Sequence, residues 1–271
     1  MKLEKIVEIL SPDGTDYSSK SLRLVVVTPL ANEECTIQEQ LTRTLAQLGT
    51  EDRIFCVVDG ACKDSTLDRV KAYGRETDPR VVLVWAPENR CVVDAYFAGY
   101  EAALKTSCRW ILEMDGGLSH CPEEIPRFIT SMEDGAEFAA GSRFCKGGSY
   151  KGPLKRYLLS RGGSLLAQIT LGTIMKDMCS GFECFNRATL RKVVRERVRS
   201  RAHFFQTEIR FMLRDYRWVE VPISYSSPSD SVGSGTIIES LRNLWSLRRT
   251  RGALASRATD NYEEEPQHVS R

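Results

Sequence analysis

The chain has 271 residues, 42% of them hydrophobic and 27% charged, with a formal net charge of +2. That length supports one sizeable core with at most a small appendage, and the charge balance gives no general argument for nucleic-acid binding. Nine cysteines without a CxxC pair, several inside apolar runs, favour a reducing compartment over a disulfide framework. The N-terminal residues lack a signal-peptide apolar region, and no run approaches the ~18 apolar residues of a membrane span. A cytoplasmic chain is expected, touching any membrane only by a surface.

Residues 1–20 read as a loose polar leader. Leu22 to Thr28 (LRLVVVT) is a buried β-branched strand closed by Pro29, and a helical pattern follows from Asn32 to about Leu48 with acids in its first turn. Ile54 to Asp59 is a second strand, with a helix after Ser65-Thr66. Val81 to Trp85 is a third, followed by the helix Val92 to Lys105. The fourth opens the stretch WILEMDGGLSHCPEE, Trp110 to Glu124. It ends at Asp115, where two glycines release the backbone from strand geometry, and Ser119 and Pro122 open another helix. A carboxylate at the C-terminal end of such a strand stands where open α/β sheets bind ligands.

Strands alternating with helices of this length predict βαβ units and a parallel sheet covered on both faces. A dinucleotide fingerprint and a P-loop are both absent. Further on, Gly135 to Gly141 reads as a fifth strand, and Lys146 to Gly152 as a glycine-rich basic loop. Pro153 starts a long helix to about Leu171 that carries Arg156 and Arg161. Asp177 to Phe182 is a turn, and Arg191 to Arg201, with five arginines and one lysine, is a solvated basic face. Phe204 to Leu213 is a helix, and Trp218 to Tyr225 is a strand that Pro222 marks as an edge. Residues 231–252 form an amphipathic basic helix suited to docking on the domain or to lying at a membrane surface, and 253–271 a disordered polar tail.

These residues carry a resemblance. Pro29 to Glu33 (PLANE) is similar to the PxYNE opening of family-2 glycosyltransferases, and Val58-Asp59 through Asp64-Ser-Thr66 resembles their VDDGSxDGT loop. Met114 to His120 (MDGGLSH) looks like the MDADLSH of dolichol-phosphate mannosyltransferases. Gly141-Ser-Arg143, Lys146-Gly-Gly148, Ser160-Arg-Gly162, Cys179 to Phe182, Phe205 to Glu208 and Val221-Pro-Ile follow in that family's order. The resemblance covers roughly residues 22–245.

It implies an α/β GT-A fold over residues 21–230: one domain, with a Rossmann-like, mostly parallel sheet flanked by helices. It implies inverting transfer of a sugar from a nucleotide diphosphate sugar, GDP-mannose among the candidates, to a polyprenyl phosphate. On this resemblance Pro29, Asn32, Glu33, Asp59, Asp115 and Ser119 bind the donor, and Asp115 holds Mg²⁺ or Mn²⁺. Arg143 and Arg161 then grip the acceptor phosphate. A membrane surface or a membrane anchor subunit would bring enzyme and lipid together at the cytoplasmic face.

The chain also departs from the pattern. The second aspartate of the metal motif is Gly117, and that of the VDDGS loop is Gly60. A one-carboxylate metal site, a metal-independent enzyme, a different acceptor such as a small metabolite, glycan or modified nucleic acid, and a nucleotide-sugar-binding subunit without turnover all follow from these losses. If the metal site is merely weakened, Gly117→Asp strengthens metal dependence; if the glycine serves a positive φ, that change abolishes activity.

Overall fold

A computed structural model describes residues 8–17, 20–226 and 234–260, with side chains of the last helix described from 235 to 249. Ten strands are described: β1 (Glu8–Leu10), β2 (Leu24–Leu30), β3 (Arg53–Asp59), β4 (Val81–Ala86), β5 (Trp110–Glu113), β6 (Phe138–Ser142), β7 (Ser149–Lys151), β8 (Glu183–Asn186), β9 (Trp218–Pro222) and β10 (Ser224–Ser226). The helices are α1 (Ile37–Leu45), α2 (Thr66–Glu76), α3 (Val92–Lys105), α4 (Ile125–Glu133), α5 (Leu154–Leu171), α6 (Arg187–Glu196), α7 (Phe205–Met212) and α8 (Ser234–Asp260).

Eight strands form one sheet in the order β1-β4-β3-β2-β5-β8-β6-β9, and β10 pairs with β7 beside it. The central strands β4, β3, β2 and β5 are parallel, in the register Val26 opposite both Ile54 and Leu112. Side chains alternate across them. Val25, Val27, Phe55 and Val57 join the cluster under α3, α5, α6 and α7, while Leu24, Val26, Ile54 and Cys56 join the one under α1, α2 and α4. Both faces are covered, which is why these strands read as continuous apolar runs. The expected α/β fold is present.

Four features differ from the sequence reading. The leader is not loose throughout: Ile9 of β1 lies opposite Val84 and closes the sheet edge antiparallel to β4. β8 is antiparallel to both β5 and β6, and its four residues lay unmarked between a turn and a basic helix. The helix after Ser119 begins as a 3₁₀ turn at Pro122–Glu124 before α4. α8 continues to Asp260, beyond the expected end at 252 and into the stretch read as a disordered tail; residues 261–271 lie outside the described residues. It docks on the domain through buried Leu244 and Leu247. No helix among the described residues is long and apolar enough to cross a membrane.

Candidate active site

Because β2, β3 and β5 are parallel, their C-terminal ends deliver three loops to one edge of the sheet, where open α/β folds hold ligands. The first two are stitched together. Asn32, at φ 62°, accepts from the Lys63 amide at 2.8 Å, and Thr66 Oγ1 accepts from the Glu33 amide at 2.8 Å. Asp64 Oδ2 accepts from the Glu34 amide at 3.0 Å. Asp59 ends β3, buried, its Oδ1 accepting from the Ala61 amide at 2.8 Å; desolvation raises its pKa. Pro29 lies within β2, and its carbonyl would be 3.0 Å from a Cβ at Gly116.

Asp115 follows β5 and is held on several sides. Tyr96 of α3 donates to Oδ1 at 2.5 Å, and Gln40 Nε2 of α1 donates to the Asp115 carbonyl at 3.1 Å. The same glutamine accepts from the Gly117 amide at 2.8 Å. His120 Nδ1 accepts from the Asp115 amide at 3.3 Å and lies 3.6 Å from its Oδ2. Burial pushes the His120 pKa below its ordinary value, and its ring nitrogen already accepts a backbone proton. The ring is therefore neutral near pH 7, and its approach to Asp115 is a polar contact, not an ion pair. Ser119 is buried, and its carbonyl accepts from the Ser226 amide at 2.9 Å, which ties this loop to β10.

Gly117 has φ 74°. A Cβ there would stand 3.0 and 3.1 Å from the two carboxylate oxygens of Glu33. The place of the motif's second acid is thus occupied through space by a residue from another loop, whose carboxylate also accepts from Thr36 Oγ1 at 2.8 Å.

Arg143 lies across the site, its side chain only 5% exposed. Nε and Nη2 donate to Asp177 at 2.7 and 2.8 Å, and its backbone amide donates to the same carboxylate at 3.0 Å. Burial alone would raise the Asp177 pKa, but the Arg143 guanidinium outweighs it and holds the carboxyl at about 2. Arg143 sits 5.0 Å from the Phe144 ring and 5.3 Å from that of Tyr225. Arg161 sits 5.1 Å from Phe144 and donates to the Lys176 carbonyl at 3.2 Å. The two arginines therefore meet at one aromatic ring, and Tyr225 links them to the Asp115 loop by packing 5.3 Å from His120.

Tyr96, Gln40, Asp177 and Tyr225 were not singled out by the sequence reading. Only Asp177 carried a local signal, an acid just before the Cys-Ser-Gly-Phe turn. The others reach the site from elements whose register fixes them.

Likeness to known proteins shows the family and the fold. The sequence model of glycosyl transferase family 2 matches residues 25–194. The chain belongs to that family. This glycosyltransferase is 31% identical over 244 residues to the undecaprenyl-phosphate mannosyltransferase of Micrococcus luteus, covering 87% of this chain and 96% of that one. It is 27% identical over 241 residues to the dolichol-phosphate mannosyltransferase of Pyrococcus furiosus, covering 86% and 66%. Among solved structures it is similar to the glucosyl-3-phosphoglycerate synthase of Mycobacterium tuberculosis in complex with Mn²⁺, UDP-glucose and phosphoglyceric acid. That match has a TM-score of 0.62, 16% identity and coverage of 84% and 80%, and it bears out the GT-A fold.

Among the described residues no group of three His, Cys, Asp or Glu side chains could hold a metal. The Asp115 side chain is 38% exposed, and its Oδ2 lies 3.6 Å from the buried His120 Nδ1. This donor set fits a hard cation held by one carboxylate and completed by diphosphate oxygens and water, and does not fit one caged by protein alone.

Proposed function

We propose that the enzyme transfers a sugar, with inversion, from a nucleoside diphosphate sugar to a polyprenyl phosphate at a membrane surface. The relatives, both mannosyltransferases by name, support mannose as the sugar, which makes GDP-mannose the first donor to test. The observation that carries the acceptor reading is the pair of arginines meeting at Phe144 beside the Asp115 loop. Guanidinium groups suit a phosphate monoester, and Asp177 orients Arg143 through Nε and Nη2.

A phosphate oxygen is already ionised near neutral pH, so its attack on the anomeric carbon needs no strong protein base. The site agrees: His120 is neutral, and its Nδ1 is committed to a backbone amide. Pro29, Asn32, Glu33, Asp59 and Ser119 line the edge where the donor nucleotide would lie. Tyr96 and Gln40 fix Asp115 so that one carboxylate oxygen remains for the donor side. A Mg²⁺ or Mn²⁺ ion at Asp115 would supply positive charge for the departing diphosphate.

Arg161→Ala tests the acceptor assignment, because it should raise KM for the lipid phosphate by at least ~10-fold with the donor KM unchanged. A shift confined to the donor KM would assign Arg161 to the nucleotide and remove this support.

A further inference from the structure

α5 is amphipathic in the wrong direction for a helix bathed in water. Its buried side carries Ser164, Ala167, Thr170 and, at the C-terminal end, Leu171, while its open side carries Leu154, Leu158, Leu165 and Ile169 at 50–73% exposure. At 3.6 residues per turn these four, with Leu159 and Leu166, span a continuous arc of roughly 140° on one face. Gly162 lies inside that arc, with open space where a Cβ would be. Ile174, just beyond the helix, is 81% exposed. The neighbouring α8, which packs on α5, adds Ile238, Leu241 and Trp245 as exposed apolar side chains. A contiguous apolar surface of this kind on a water-soluble fold marks a contact site.

Charge identifies what covers it. From Lys146 to Lys176 there is no acidic residue, while Lys146, Lys151, Lys155, Arg156, Arg161 and Lys176 lie in this stretch, with Lys155 within the apolar arc and Arg161 at its margin. Exposed Arg242, Arg248 and Arg249 lie on α8. Cations around an apolar strip complement an anionic lipid surface, whereas in a two-fold contact between copies of this chain they would face one another.

We infer that α5, with the open side of α8, is seated in the headgroup layer of an anionic bilayer. This deepens the acceptor reading and rests on it, since a lipid phosphate is met at a bilayer. Arg161 lies at the margin of the arc, one turn from both Leu158 and Leu165, so seating the helix brings a phosphate at headgroup depth to the arginine pair. The primary membrane element is thereby α5, while α8, which the sequence pattern singled out, divides its apolar residues between the core and the lipid.

The test is flotation with vesicles of phosphatidylcholine plus phosphatidylglycerol and with phosphatidylcholine alone. The wild-type protein is expected to float with the anionic vesicles only, and less so as salt is raised. The double variant Leu158→Asp/Ile169→Asp, both exposed positions, should lose at least ~10-fold in partitioning with an unchanged melting temperature. Transfer to a short-chain, water-soluble prenyl phosphate should persist in that variant while transfer to vesicle-embedded acceptor falls. Wild-type protein that stays unbound, or a double variant that floats like wild type, overturns the inference. So does sedimentation showing that the substitutions convert a dimer to a monomer, which would assign the face to a second copy. Loss of flotation together with no transfer to any prenyl phosphate by the wild type leaves the docking face standing and removes the acceptor reading instead.

Discussion

The Glu33 carboxylate occupies the space into which a side chain at Gly117 would project, 3.0 and 3.1 Å from the two oxygens. The glycine is therefore not a mere deletion of a metal ligand. With φ 74° it serves the backbone, and its lack of a Cβ admits Glu33. Gly117→Asp should lose about 1–2 kcal/mol from backbone strain, with like-charge contact added. Activity should fall at every Mn²⁺ concentration, and titrations of both proteins check this. Stronger metal dependence with higher activity would return the glycine to the status of a weakened ligand position.

Tyr96 donates to Asp115 Oδ1 from a buried ring. Tyr96→Phe should keep the fold and reduce kcat/KM by about tenfold or more, the value of a hydrogen bond to a charged group. Steady-state kinetics beside a thermal melt separate this from a packing defect, which would lower the melting temperature and spare the rate per folded molecule.

Asp177 neutralises a buried guanidinium. Its folded pKa of about 2 lies below the ordinary 3.8, so the pair's contribution is complete above about pH 4 and is lost as pH falls from there towards 2. By linkage that contribution is about 2 kcal/mol. Asp177→Asn should cost about 3–5 kcal/mol at pH 7, because Arg143 stays buried without its partner. Urea midpoints measured from pH 7 to pH 3 should fall for the wild type and flatten for the variant; parallel curves would place the acid sensitivity elsewhere.

The fold was legible where local pattern and tertiary environment agree. The apolar runs of β2, β3 and β4 predicted a doubly covered parallel sheet because their alternate residues enter two different cores. β8 escaped notice because Glu183 and Asn186 at its ends look like turn residues; Glu183 is neutralised in the interior by Arg210 at 2.5 Å, a partner 27 positions away. Asp115, Arg143 and Arg161 could be named from motifs, but not what fixes them. Tyr96 reads as one more aromatic on an apolar helix, and Asp177 as a turn acid. Nor could spacing alone show that Glu33 fills the room left by Gly117, since that contact joins two loops. The apolar side of α5 was hidden for another reason: leucines at helical spacing look the same whether they meet a core or a bilayer.

The most direct measurement follows radiolabelled mannose from GDP-mannose into the organic phase in the presence of a polyprenyl phosphate, using wild-type protein and Asp115→Ala. The account predicts a lipid-extractable, acid-labile product with wild type. It predicts a loss of at least ~1000-fold, more than about 4 kcal/mol of barrier, with folded Asp115→Ala. Product that remains in the aqueous phase, or a folded Asp115→Ala protein that retains more than about a tenth of the rate, would contradict it.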